Sequence, residues 1–96
     1  MTLREAIAQL DTLPEDATLY VVGEPDEWNG ESDTAFGVED VESETPGLPP
    51  EADGRSYFLE IAIAREVLHG WKQRLDHAPA LDEIVERVIH YARFDA

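Results

Sequence analysis

From Ile61 to Leu75, and again from Leu81 to Ala92, apolar residues recur at steps of three and four. That spacing gathers side chains on one face of an α-helix. Ile61, Ala64, Leu68, Trp71 and Leu75 form the first seam, in which Gly70 costs about 1 kcal/mol as a mid-helix residue. Leu81, Ile84, Val85, Val88, Ile89 and Ala92 form a second, wider face. Asp76-His77-Ala78-Pro79 breaks the pattern between them. In the second helix Asp82, Glu83, Glu86, Arg87, His90 and Arg93 are the polar face, with acids in the first turn and a cation in the last, as the helix dipole favours. Neither helix can bury its stripe alone, so the rest of the chain must supply an apolar layer.

That layer reads as a small sheet. Thr18 to Val22 is β-branched, aromatic and continuously apolar, which suits a central strand with both faces covered or one whose second face awaits a partner. Asn29-Gly30 is a strong turn signal, so a hairpin is expected to return through Ala35 to Val41 with Phe36, Val38 and Val41 as its apolar positions. Glu42 to Gly54, rich in Pro, Gly and acids, reads as a mobile loop. Ser56 to Ile61 looks like a third strand. An alternation through Tyr57, Leu59, Ile61 and Ile63 could extend it, but the helical spacing persists longer and places the switch near Ile61 or Ala62. At the front, Thr2 and Glu5 have capping-box spacing before the stripe Leu3, Ala6, Ile7 and Leu10. Pro14 disfavours helical geometry at Leu13, and Pro14 to Ala17 reads as a turn. The expected order is α-β-β-β-α-α: one α+β domain over residues 1–96, with a three-stranded antiparallel sheet and its helices on one face.

Charge divides the chain. Residues 5–54 hold fifteen Asp and Glu and no Lys or Arg, and the formal charge of −15 splits into −14 before Arg55 and −1 from Arg55 onward. Such a surface attracts cations and basic partners and repels polyanions. Nucleic acid is therefore excluded as a phosphate-contacting partner, and an anionic membrane for the same reason. No apolar run reaches the ~18 residues of a membrane span, and the opening residues lack the apolar run of a secretory signal. The chain has no Cys, which removes disulfides, thiolate metal sites and thiol catalysis. A cytoplasmic location is the expectation. Six of the seven basic residues are Arg, consistent with the GC-rich codon usage of many bacteria or with adaptation to high salt. Salt adaptation spreads acids over every face, whereas here the back of the chain is nearly balanced.

Catalytic and metal signals are weak. Glu86 and His90 are four apart on one helix face, which suits an exposed pair better than a metal site lacking a third ligand. Framing Gly30 as an EF-hand glycine puts Pro25 at the first ligand position and Phe36 at the last, so the frame fails. Adjacent acids such as Asp26 with Glu27 or Glu39 with Asp40 sit in polar loops with nothing to separate their pKa values. Ser32, Ser43 and Ser56 lie in no nucleophile context, and no phosphate-binding loop is present. No cofactor, metal or catalytic residue is expected.

Trp28 is the more informative residue. It lies within Glu24-Pro25-Asp26-Glu27-Trp28-Asn29-Gly30-Glu31, a large aromatic among acids, as at a protein-binding anchor. The competing reading folds it back to cap the sheet edge. The expected contact is Asp26, Glu27, Trp28, Glu31 and Asp33, extended by Glu39, Asp40, Glu42 and Glu44. In size and acidity the chain is similar in general character to bacterial immunity and antitoxin proteins, a likeness of class and not of motif. That likeness implies a non-enzymatic module that binds a basic partner such as a nuclease. The alternative is a structural or housekeeping domain, homodimeric through a sheet edge or helix face, whose acidity serves solubility or salt tolerance.

Overall fold

The computed structural model describes residues 1–38 and 50–94. Helix α1 (Leu3–Ala8) opens with the expected reciprocal cap. Thr2 Oγ1 accepts from Glu5 N at 3.1 Å, and Glu5 Oε1 accepts from Thr2 N at 3.0 Å. The Thr2 backbone N–H, followed by the Thr2 hydroxyl, holds the Glu5 carboxyl below its ordinary pKa. A 3-10 turn, Leu10–Thr12, closes the helical stretch before Pro14. Strands β1 (Thr18–Val21), β2 (Thr34–Gly37) and β3 (Ser56–Glu60) form an antiparallel sheet in the order β2-β1-β3. Helices α2 (Ile61–Gln73) and α3 (Leu81–Phe94) follow. This is the α+β order α-β-β-β-α-α read from the pattern of apolar residues, and the strand-to-helix switch falls at Ile61.

β1 is central because its whole run is apolar. Leu19 and Val21 enter one cluster with Leu3, Ile7, Ile61 and Val88 from the three helices. Tyr20, on the opposite side of the pleat, is buried outside that cluster, where the short turn Pro50–Ala52 packs on β1 and β2 and buries Ala52. The front part of the expected 42–54 loop lies outside the described residues, and its last five residues contain this turn.

One local expectation is corrected, and the sheet holds one irregularity that the spacing did not announce. β2 ends at Gly37, so Val38 is exposed, and Val41 lies outside the described residues. Regular alternation also fails in β3. Leu59 pairs with Leu19 while Tyr57 pairs with Tyr20, and the register shifts between those pairs. The extra residue, Phe58, lets two successive side chains, Phe58 and Leu59, reach the core, as a β-bulge allows.

Arg65 ties α2 to the end of the first helical stretch. Its guanidinium donates to the Leu10 carbonyl at 2.9 Å, which also accepts from Leu13 N within the 3-10 turn, and to the Leu13 carbonyl just beyond that turn. At the α2–α3 connection, His77 Nδ1 lies 3.1 Å from Asp76 Oδ1 and Nε2 lies 3.3 Å from Glu83 Oε2. Asp76 first and Glu83 second raise the imidazole above its ordinary 6.5. His77, followed by the Ala80 N–H, lowers Glu83 below its ordinary 4.5.

Two predictions follow from this framework. No atom lies within 4 Å of where a Cβ on Gly70 would stand, so Gly70→Ala should raise unfolding stability by about 0.5–1 kcal/mol in urea titrations. The raised His77 pKa contributes stability that is complete below about pH 6.5 and lost as pH rises through the folded value. The lowered Glu83 pKa contributes above about pH 4.5 and is lost as pH falls through its folded value. His77→Gln should therefore lower Tm most between those two pH values, with the gap to the parent closing at alkaline pH.

Candidate functional site

The connection from β1 to β2, residues 22–33, gathers five exposed acids of the front half, Glu24, Asp26, Glu27, Glu31 and Asp33. Its path is set residue by residue. Gly23 leaves β1 at φ +96°, a left-handed conformation that a Cβ would strain. Pro25–Glu27 form a 3-10 turn in which Glu27 Oε1 accepts from Glu24 N at 2.9 Å. Asn29 then organises a second turn. Its Oδ1 accepts from Glu31 N at 2.8 Å, and its own N–H donates to Ser32 Oγ at 3.0 Å. Asn29-Gly30 thus marks a turn as expected, but inside a twelve-residue connection and not as a two-residue hairpin loop.

The loop is fastened to α1. Leu3 N donates to the Ser32 carbonyl and Arg4 N to the Gly30 carbonyl, both at 2.9 Å. These donors belong to the first turn of α1 and have no acceptor within their own helix. On the β2 side, Thr34 N donates to the Met1 carbonyl at 2.8 Å, and Thr2 and Asp33 form an antiparallel bridge.

Trp28 supplies the apolar fastening. Only 8% of its surface is exposed. The ring meets Phe58 edge-on at a centroid distance of 4.8 Å, and Nε1 donates to the Gly23 carbonyl at 3.2 Å. The indole is folded into the core, not presented as a free anchor, because the bulge at Phe58 provides an aromatic face and Gly23 an acceptor.

The other expected contact residues separate into distinct environments. Asp33 is ion-paired with Arg55 at 2.9 Å. Glu27 is exposed but commits one oxygen to the Glu24 N–H. Asp26 and Glu31 are exposed, and their carboxylates have no partner among the described residues. Glu39, Asp40, Glu42 and Glu44 lie outside the described residues.

Beside the loop lies a cleft of about 630 Å³ that the sequence did not announce. Its floor is Trp28, Val85 and Ile89, and Glu31 and Glu86 are among its polar lining. Arg4 and Asp82, also lining it, are ion-paired to each other. At the end of α3 the Phe94 ring lies 4.9 Å from the His90 ring, and the Arg93 guanidinium sits 5.3 Å from its centroid. Glu86 and His90, read as an exposed i,i+4 pair, both line this cleft. Among the described residues no group of three His, Asp or Glu converges as a metal-binding set.

Comparison with protein-family models, curated proteins and solved structures finds no match. No helix among the described residues is long and apolar enough to cross a membrane.

Trp28→Ala should cost about 3–5 kcal/mol in chemical denaturation, the range for truncating a buried aromatic ring. It should also broaden the loop and α1 resonances together, since the ring holds the loop to Phe58 and the loop carbonyls of Gly30 and Ser32 hold α1.

Proposed function

We propose that this chain is a non-enzymatic interaction module whose acidic face, built on residues 24–33, binds a basic protein surface in the cytoplasm. A cationic nuclease, blocked as immunity and antitoxin proteins block theirs, is the kind of partner such a face would suit. The observation that carries the reading is a set of exposed carboxylates at Glu24, Asp26, Glu27 and Glu31 on a loop hydrogen-bonded in place. The two nearest arginines are already neutralised, Arg4 by Asp82 and Arg55 by Asp33. A fixed constellation of one sign speeds encounter with the opposite sign and reduces the ordering cost of binding.

A homodimer through β3 has one observation in its favour, the edge position of that strand with Tyr57 54% exposed. It has more against it. Each copy carries a formal charge of −15, and the bulge disturbs the edge that would pair.

The test is kinetic. A partner captured at low salt and released as salt rises should associate roughly five-fold more slowly with Asp26→Lys than with the parent chain, and the difference should vanish at high salt. The Asp26 carboxylate takes no part in holding the loop, so the variant should fold normally. An unchanged association rate would rule out steering by this face.

A further inference from the structure

We infer that the cleft between residues 28–31 and α3 receives one arginine side chain of the basic partner. This rests on the acidic face being an interface for a basic protein, and it assigns the position at which such a partner is held.

The charges decide the sign of the occupant. Of the cleft's charged groups, Arg4 and Asp82 satisfy each other, and Arg93 lies over the Phe94 ring. Glu31 and Glu86 are exposed and have no partner among the described residues. Beyond the Arg4–Asp82 pair the lining holds two carboxylates, Glu31 and Glu86, against one cation, Arg93, so it is net negative on a chain whose whole field attracts cations.

The shape decides which cation. The floor of Trp28, Val85 and Ile89 is apolar, so the occupant must bring an apolar stem to lie on it. The rim offers an aromatic ring, Phe94, 59% exposed, against which the chain already places one guanidinium of its own. A planar, weakly hydrated guanidinium can donate to two carboxylates in fixed directions and stack on an aromatic face. A lysine ammonium is a compact, strongly hydrated point charge and does neither as well. The cleft therefore matches arginine in stem, charge and plane.

The experiment uses the intact chain and the N-acetyl N-methylamide derivatives of arginine, lysine and citrulline, followed by NMR. Citrulline keeps the shape of arginine without its charge. The arginine derivative should give saturable shifts at the Val85 and Ile89 methyls and the Trp28 indole N–H. Glu31→Gln and Glu86→Gln should each weaken its apparent affinity roughly three-fold, the scale of an exposed ion pair. The lysine derivative should bind more weakly, and citrulline should leave the cleft signals unmoved. Absence of saturable shifts in the cleft, equal shifts from lysine or citrulline, or arginine shifts spread evenly over the acidic surface would overturn the assignment. Asp26 does not line the cleft, so Asp26→Lys should leave the arginine titration unchanged. If the titration fails while Asp26→Lys still slows the captured partner, only the cleft assignment falls. If both fail, the acidic interface falls with it.

Discussion

The acidic side of this molecule depends on a mutual repair between a helix too short to stand alone and a loop too charged to close alone. α1 has six residues, well below the length at which an isolated helix is stable in water. Its N-terminal donors are satisfied by Gly30 and Ser32 of the loop, and the carbonyls beyond its C-terminal end by Arg65 of α2. Each such bond contributes about 1 kcal/mol net, but leaving its buried group unmet costs about 1–3 kcal/mol. The loop in turn brings Glu24, Asp26, Glu27 and Glu31 together against their own repulsion. It is held by those same bonds and by Trp28 packed against Phe58.

The proposed acidic interface would be a by-product of that fastening. An acidic loop free to move would attract cations as strongly at long range but would lose conformational entropy on binding. Fixing the loop through the core converts a charge excess into a pattern. It also sets the loop beside α3 and so creates a cleft with apolar floor and acidic lining. The buried indole is what gives the carboxylates fixed positions.

Much of the fold was legible in the sequence because apolar periodicity reports burial directly. Val85, Val88 and Ile89 on α3, the continuous run of β1 and the Thr2–Glu5 cap all stand where spacing puts them. The switch at Ile61 was visible for the same reason, since helical spacing outlasts alternation. The bulge at Phe58 was not, because Tyr57-Phe58-Leu59 satisfies alternation equally well until β1 fixes the register. The early end of β2 was missed because Val38 is as apolar as a core residue although it is 47% exposed.

The site was less legible than the fold. Trp28 stood out by composition, but its orientation depends on Phe58, thirty residues away, and that contact has no local signature. The cleft is less legible still. Glu31 and Glu86 share a site only because Gly30 packs near Arg4 and Val85, a meeting of three segments that no spacing encodes.

Amide hydrogen exchange across the loop junction tests the central claim most directly. If residues 28–34 and α1 hold each other, the amides of Leu3, Arg4 and Thr34 and the Trp28 indole should be protected together, nearly as well as the amides of β1. Free exchange at Leu3 and Arg4, with β1 still protected, would contradict a fastened loop and leave the acidic face without fixed geometry.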